Sequence, residues 1–245
     1  MASTEEPALL WTRPEPGTRR PKFTRDGIAS AALAIADREG FAAVSMRRVA
    51  AELGAGTMTL YYYVRTKDEL VALMDDAIMG EVLIPAAEFP DFWYDALTAV
   101  AERTWEVLKR HPWAMQALRG VSPGPNAMRH AEQSLAALAT TGLDAAAKVT
   151  LLGVVDDYVH GNAFRAAEVH AAREAAANEE AAQFARSQFE TGEFPHSEAL
   201  FGGRDGTEVL PEILSGLSER DRFRQGLAML LDGAAVRLKL ALPGN

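Results

Sequence analysis

Apolar residues recur every three or four positions along most of this chain, which is the spacing of amphipathic α-helices. The alternating pattern of a β-strand is not found, and no segment repeats at a fixed interval. The pattern therefore predicts an all-α fold. Helices are predicted over residues 24–39, 66–85, 91–110, 123–141, 144–177 and 218–242, with two shorter helices within residues 45–67.

Each predicted helix carries one apolar stripe that is expected to face a core. The stripes consist of Ile28, Ala31, Ala32, Ile35 and Ala36; Leu70, Leu73, Ile78 and Val82; Leu97, Val100, Ala101, Thr104 and Leu108; Met128, Leu135 and Leu138; and Phe223, Leu227, Leu230, Leu231, Ala234 and Leu238. The helix from residue 144 is apolar from Val149 to Val155 and rich in small residues, including Gly153 and Gly161.

Residues 45–67, SMRRVAAELGAGTMTLYYYVRTK, predict two short helices joined by a turn that contains glycine. The apolar positions are Val49, Leu53, Leu60 and Val64. Their spacing forms one buried seam across both helices, and Gly54 lies where a left-handed residue ends the first helix. This is the pattern of a helix-turn-helix, whose second helix enters the major groove of DNA.

Three helix starts in this region combine a capping hydroxyl with a cation. They are Thr24-Arg25, Ser45 followed by Arg47-Arg48, and Thr66-Lys67, each 21 residues after the one before. Serine and threonine are favourable N-caps, and Thr66 with Glu69 predicts a capping box. A cation in the first turn costs roughly 0.3 to 1 kcal/mol unless an external anion is present. The pattern therefore predicts three helix ends directed at one polyanion, such as a phosphate backbone.

The same stretch closely resembles the DNA-binding domain of the TetR family of one-component transcriptional repressors. The elements that match in register are Val49-Ala50, Leu53-Gly54, Thr59-Leu60-Tyr61, and Lys67 with Leu70, and the resemblance covers about residues 20–75. Two positions depart from the family pattern. Gly56 stands where a serine is common, and Tyr63-Val64 replaces the common His-Phe pair, which keeps an aromatic residue followed by an apolar one.

The resemblance implies a DNA contact for ten residues. Base-edge contacts are expected from Arg47, Thr57, Thr59, Tyr62 and Tyr63, and phosphate contacts from Thr24, Ser45, Arg48, Tyr61 and Lys67. Arginine pairs with guanine O6 and N7, and threonine and tyrosine offer hydroxyls and an apolar face to thymine methyl groups. For Tyr61 and Tyr63 a place in the apolar core is the alternative.

The distribution of charge agrees with a DNA-binding segment on an acidic protein. The net charge is −9, yet residues 19–67 contain nine basic and four acidic side chains, a local charge of +5 that leaves −14 elsewhere. The chain has no cysteine, which excludes disulfides and thiolate chemistry. It has no run of 18 apolar residues and an acidic, proline-bearing start, so a cytoplasmic location is expected.

Three domains are predicted: a flexible arm over 1–23, the helix-turn-helix domain over 24–70, and a helical ligand-binding and dimerisation domain over 71–245. Arg19, Arg20 and Lys22 place cations on the arm, which either reaches a minor groove or is a solvated tail. Residues 174–217, rich in Gly and Pro, are predicted to be irregular, either gating a cavity or having no role.

The resemblance further implies a homodimer in which helices 144–177 and 219–242 of each subunit form a four-helix interface. The small residues of the first helix and the apolar stripe of the second suit such contact, although both helices filling their own core is the alternative. Two recognition helices on half-sites about 34 to 36 Å apart also read more base pairs than one.

The larger domain offers two weaker sets of candidate side chains. An apolar effector pocket is predicted from Trp105, Trp113, Met115, Met128, Val155 and Tyr158, with plain core as the alternative. Asp156, Asp157 and His160 share a helix face with metal-binding spacing, but no matching set on another helix is evident, so no metal and no cofactor is predicted.

The leading hypothesis is therefore a homodimeric repressor that a small molecule releases from a palindromic operator. An enzyme using Asp156, Asp157 and His160 is the alternative. It lacks a nucleophile elbow, a phosphate loop and paired metal motifs, so no enzymatic activity is expected. A third hypothesis is a regulator whose larger domain binds another protein.

Overall fold

The computed structural model describes residues 10–15, 23–118, 122–175, 179–202 and 218–244, together with residues 204, 206, 209, 212 and 216. Within these residues every regular element is a helix, so the predicted all-α fold is confirmed. The chain divides into two compact units, Met1–Ala163 and Phe164–Asn245. None of the described helices combines the length and apolarity needed to cross a membrane. The predicted arm cations Arg19, Arg20 and Lys22 lie outside the described residues.

The described residues form eleven α-helices. They are α1 (Arg25–Glu39), α2 (Met46–Glu52), α3 (Thr57–Tyr61), α4 (Lys67–Val82), α5 (Trp93–Arg110), α6 (Ala114–Ala117), α7 (Pro125–Ala137), α8 (Ala145–Ala175), α9 (Glu179–Phe189), α10 (Pro195–Phe201) and α11 (Glu219–Leu238). Short 3-10 turns occupy Leu10–Thr12, Phe41–Ala43 and Ala86–Glu88. The predicted helices are all present, and α6, α9 and α10 are additions that the apolar pattern does not indicate.

One continuous apolar core joins helices α1 to α4. Its most deeply buried members are Ile28, Ala32, Ile35, Val44, Val49, Leu60, Val64, Leu70, Met74 and Ile78, each at most 1% exposed. Leu10 before α1, Val107 of α5 and Ala114 of α6 complete the same core. Because α4 contributes along most of its length, the packing does not break at residue 70, and the division into domains at that point stays a prediction.

Of the three residues predicted to face inward from α7, only Leu138, just beyond the end of the helix, is buried. Met128 is 62% exposed and Leu135 is 42% exposed, so their prediction as inward residues is wrong. The inward face carries Asn126 and Gln133 instead. Gln133 accepts a hydrogen bond from the Ile84 amide at 3.1 Å and donates to the Ile84 carbonyl at 2.7 Å. These bonds satisfy backbone groups just beyond the end of α4, which favours the polar face.

Helix α8 buries only part of its predicted apolar run. Leu151 and Val155 are buried, followed by Val159 and Ala163 at the same four-residue spacing. The flanking valines are largely exposed, as are Gly153 and Gly161, and a methyl group built on either glycine would meet no other atom within 4 Å. The buried stripe is therefore one residue wide, and both glycines lie outside it.

In the second unit, α11 is shorter and more narrowly buried than predicted. Phe223, Leu227, Leu231 and Ala235 form its buried stripe, whereas Leu230, Ala234 and Leu238 are half-buried. The helix ends at Leu238, not at residue 242, because Lys239 adopts a left-handed conformation with φ of 57° that closes the helix.

The prediction of an irregular segment over 174–217 is wrong for α9 and α10. Pro195 occupies the first turn of α10, where its missing N–H costs no helical hydrogen bond. Phe189 packs edge-on against Phe194 and Phe201, with ring centroids 6.0 and 5.6 Å apart. These aromatic contacts hold the two helices together.

Candidate nucleic-acid interface

Helices α2 and α3 form the helix-turn-helix that the spacing predicts. The Ser45 hydroxyl caps α2 by accepting a hydrogen bond from the Arg48 amide at 3.2 Å. Gly54 follows α2 with φ of 61°, the left-handed conformation expected for it. The Ala55 amide then bonds the Ala50 carbonyl at 2.9 Å and closes the turn. The two helices are thus joined by a short, hydrogen-bonded connection.

The exposed side of α3 is where a DNA groove would be read. Met58 and Tyr62 are 73% and 76% exposed, Tyr61 is exposed to a lesser extent, and Thr57 and Thr59 are half-buried. Leu60 anchors the opposite side of the helix in the core. Met58 is not among the predicted contacts, although its place opposite the Leu60 seam is the signal that identifies it. A methionine offers a flexible apolar surface to a thymine methyl group.

Tyr63 does not belong to this exposed side. Its side chain is 7% exposed and packs in the core shared by Leu60 and Val64. The prediction of a base contact by Tyr63 is therefore wrong, and the alternative place in the core is the one observed. The residue follows the end of α3, where the helical spacing no longer decides which way a side chain points.

The three predicted cationic helix starts differ in the structure. Arg25 is only 8% exposed, and its Nη1 donates to the Arg13 carbonyl at 2.9 Å. Burial lowers the pKa of this guanidinium, against the opposing effect of nearby Glu15. Arg25 therefore cannot meet an external phosphate, and the prediction of three equivalent helix ends is wrong at α1.

Arg47 and Lys67 are the exposed cations among the predicted contacts. The Arg47 side chain makes no hydrogen bond or ion pair within the described part of the chain. The Lys67 ammonium lies 5.6 Å from the centre of the Phe41 ring, which holds it near the start of α4. Both charges are open to solvent and close to a helix start.

Arg48 is compensated within the chain. Its Nη2 lies 2.7 Å from Glu39 and its Nη1 2.8 Å from Glu52, and Arg38 joins the same network. Hydrogen bonds from Arg48 and then Arg38 lower the pKa of Glu39 to about 2, so this carboxylate stays ionised at neutral pH. The network directs Arg48 toward α1, a placement that the helix-start pattern alone does not predict.

The hydroxyls at the three helix starts all act as N-caps. Those of Thr24 and Thr66 accept from the backbone amides of Gly27 and Glu69 at 3.0 and 3.1 Å, as Ser45 does for α2. Each hydroxyl keeps its own hydrogen to donate to a phosphate. The predicted capping box is only half formed, because the Glu69 carboxylate accepts from the amide of Arg65 at 2.7 Å instead of that of Thr66.

A buried histidine links α1 to α4 and α5. His111, which follows α5, is 3% exposed, and its Nδ1 donates to Asp37 of α1 at 2.7 Å. Its Nε2 lies 3.4 Å from Glu81 of α4, which also pairs with Arg110. The Trp113 indole donates to the same Asp37 oxygen at 2.7 Å. The end of α5 is thereby fixed on α1 and α4, the helices that flank the helix-turn-helix.

The predicted effector-pocket residues occupy different environments. Trp105 and Val155 are buried, Met115 and Tyr158 are half-buried, and Met128 is exposed. Trp113 stacks on Phe41 with ring centroids 5.6 Å apart, so it packs on the core of α1 to α4. Trp105, Met115, Val155 and Tyr158 therefore remain predicted pocket residues.

The side chains considered for a metal lie mainly on α8. His160 donates from Nδ1 to the Asp156 carbonyl at 2.8 Å, an attachment to its own helix. Burial raises the pKa of the Asp156 carboxyl and lowers that of the neighbouring His130 imidazole. Over the described ranges, no group of three or more histidine or acidic side chains is placed to hold a metal ion.

Together, the capped helix-turn-helix and its exposed α3 side define a DNA-binding regulator with a larger helical body. Comparison with known proteins gives the family. Residues 28–74 match the family described as bacterial regulatory proteins, tetR family, and residues 85–238 match the tetracyclin repressor-like C-terminal domain. The chain belongs to the TetR family of transcriptional regulators.

Similar proteins include regulators from Saccharopolyspora and Streptomyces. An HTH-type transcriptional regulator of Saccharopolyspora erythraea is 40% identical over 65% of this chain and 69% of its own length. The HTH-type transcriptional repressor DrrR1 of Streptomyces coeruleorubidus is 42% identical over 63% of this chain and 58% of its own. The structure of ActR from Streptomyces coelicolor in complex with actinorhodin has a TM-score of 0.66 at 25% identity, covering 88% of this chain and 98% of that chain.

Proposed function

We propose that this protein is a homodimeric repressor that binds a palindromic operator and is released from it by a small molecule. The observation that carries the proposal is the exposed side of α3 beside two open cations. The recognition surface consists of Thr57, Met58, Thr59, Tyr61 and Tyr62 with Arg47 and Lys67. Hydroxyls, an apolar side chain and an arginine are the groups that read base edges, and a lysine holds phosphate.

A homodimer is supported by exposed apolar surface on two helices. Val149 and Val154 are exposed on α8, and Met229 and Val236 are exposed on α11. Isolated exposed apolar residues are common, but here each helix also carries an exposed glycine that would let another helix approach closely. A dimer further places two heads on two half-sites, which multiplies specificity.

A small-molecule effector is supported by the helical body and by ActR, which has been solved with actinorhodin bound. The side chains that we assign to the effector site are Trp105, Met115, Val155 and Tyr158. Release from DNA requires that the effector bind one arrangement of the two heads more tightly than the other. A hundredfold change in operator affinity corresponds to about 2.7 kcal/mol of such coupling.

The decisive experiment selects DNA fragments from the parent genome on the purified protein at low ionic strength. We expect one enriched motif with two inverted half-sites about one helical turn apart. Fractions of a cell extract are then tested for release of the labelled motif and for a rise in melting temperature, since a ligand that binds the folded state stabilises it. If the protein retains all fragments equally, or retains no fragment, the proposal is contradicted.

A further inference from the structure

Residues 10–15 bridge parts of the first unit that are far apart in the sequence. They begin with the 3-10 turn Leu10–Thr12, in which the Arg13 amide bonds the Leu10 carbonyl at 3.4 Å. Leu10 is 5% exposed and belongs to the core of α1 to α4. The expectation of a flexible arm is therefore wrong for these six residues. Both matched family regions begin after them, at residues 28 and 85.

One end of this segment binds the first turns of α1 and α4. Arg13 Nη2 lies 2.6 Å from the Glu69 carboxylate, and both side chains are largely shielded from solvent. The Arg13 carbonyl accepts from Arg25 Nη1 at 2.9 Å, and Glu15 Oε1 accepts from the Arg25 amide at 3.2 Å. Since Glu69 also accepts from the Arg65 amide, this anchor reaches the link between α3 and α4.

The other end covers the place where α7 is attached to α4. Asp76 of α4 is 7% exposed and accepts from the amides of Asn126 and Ala127 at 2.7 and 3.4 Å. Gly124 caps the same helix start, and a methyl group there would lie 2.6 Å from Trp11 Cζ2 and would also collide with the Asp76 carboxylate. Glycine is thus required where Trp11 and Asp76 both press on the backbone.

We propose that residues 10–15 form a strap that positions the DNA-binding head, with Trp11 and Arg13 as its positioning residues. Only one residue separates Trp11 from Arg13, and a fully extended chain covers about 7 Å over that interval. The strap therefore has little slack. When the start of α7 moves by several ångströms, Trp11 can stay on Gly124 and Arg13 can stay on Glu69 only if the first turns of α1 and α4 move as well.

Amide hydrogen exchange on the full chain tests the strap without DNA or effector. Arg13→Ala breaks the anchor at α1 and α4 and does not touch α7. We expect it to accelerate exchange of the Asn126 and Ala127 amides about tenfold. Trp11→Ala should likewise accelerate exchange of the Arg25 amide, which Trp11 does not bond. Arg38→Ala, which removes an exposed arginine of α1, is the matched control and should leave the α7 amides unchanged.

If faster exchange is confined to the anchor that carries the substitution, the proposal of a strap is overturned. If Trp11→Ala does not fold, Trp11→Leu keeps an apolar side chain beside Gly124 and gives the same comparison. Arg13→Lys keeps the charge opposite Glu69 and should restore most of the protection at Asn126 and Ala127. If lysine does not restore protection and protection is lost in all helices, the substitution destabilises the whole fold. That result would also overturn the proposal.

The expected effect of the strap on operator binding rests on the proposed function. The test below distinguishes a failure of the strap from a failure of the proposed function. On an operator selected with the unmodified protein, Arg13→Ala should weaken binding about tenfold while the slope of affinity against salt stays the same. A slope lower by about one would mean that Arg13 contacts a phosphate, which would overturn its positioning role. If the unmodified protein selects no operator, the proposed function fails, and the exchange experiment still decides the strap.

Discussion

Met58 presents an apolar side chain to solvent at the start of α3, beside the equally exposed Tyr62. An exposed apolar side chain gains stability when it meets an apolar partner, and the thymine methyl group is the apolar feature of the major groove. We expect Met58 to favour thymine at one position of each half-site.

The prediction is tested by removing the thymine methyl group from the DNA and by shortening the Met58 side chain in the protein. Replacing thymine by deoxyuridine in the selected operator should weaken binding by about 0.8 kcal/mol, the value of one buried methyl group. The same base change should hardly alter the operator affinity of the Met58→Ala protein. Both affinities are measured by titration of labelled duplex. Leu200→Ala, which shortens an exposed apolar side chain on α10, serves as the control. An undiminished deoxyuridine effect in Met58→Ala would assign the contact elsewhere.

Arg47 and Lys67 should differ in what they contribute to binding. Arg47→Ala should weaken operator binding by about 1 to 3 kcal/mol and relax one base position, because its guanidinium pairs with a base edge. Lys67→Ala should weaken all sequences alike and reduce the salt slope by about one, as a phosphate contact does. Both are measured by binding titrations from low to moderate salt. Equal effects of the two substitutions on random DNA would refute these roles.

Asp75 gives a pH-dependent prediction for stability. Burial, and then the neighbouring Asp76, raises its pKa to about 6. The folded protein therefore binds this proton more tightly than the unfolded chain, so the group lowers stability as pH rises from about 4 to 6. Asp75→Asn should raise the free energy of unfolding by about 1 to 2 kcal/mol at pH 7.5. In urea unfolding the gain should shrink toward pH 4.5; a constant gain would contradict the assignment.

Some of the residue positions in the DNA-binding head follow from the sequence, and others do not. The seam of Val49, Leu60 and Val64 and the left-handed Gly54 follow directly from spacing and backbone preference. The burial of Arg25 does not, because its partner Arg13 lies in a segment with no periodic pattern. Tyr63 lies just beyond α3, where one rotation of the backbone decides between groove and core.

At the scale of elements, helix positions were easier to predict than the faces by which the helices pack. Amphipathic spacing predicts a helix near α7, but the face that packs inward is set by hydrogen bonds to the end of α4. No apolar pattern contains that information, since it depends on unpaired backbone groups of another element. For the same reason the sequence does not reveal that Asp76 caps α7.

The joint between α1 and α5 leads to a prediction about coupling of elements. Asp37→Ala removes the carboxylate that accepts from both His111 and Trp113 and leaves a buried imidazole nitrogen unpaired. We expect a loss of about 1 to 3 kcal/mol in the free energy of unfolding, measured in urea. Asp157→Ala, an exposed aspartate on α8, is the control. A loss no larger than that of the control would show that the joint contributes nothing.

For the whole molecule, the exposed apolar surface of α11 predicts the oligomeric state. Met229 is 74% exposed in the single chain, and a charge there would be desolvated in a close helix contact. Met229→Lys should shift the mass measured by light scattering from dimer to monomer and abolish high-affinity operator binding. Met58→Lys, at a position of the same exposure in the head, should leave the mass unchanged. A dimeric Met229→Lys protein would move the interface elsewhere.

The brevity of α3 has a further consequence for how this protein finds a gene. Five residues rise about 7.5 Å along a helix axis, which spans roughly two base pairs of the groove. Two or three base pairs carry roughly four to six bits of information, so a single head matches by chance about once in every 16 to 64 positions. A genome contains far too many such matches for one head to mark one promoter, whereas the proposed pair of heads at a set separation would make a chance match far rarer.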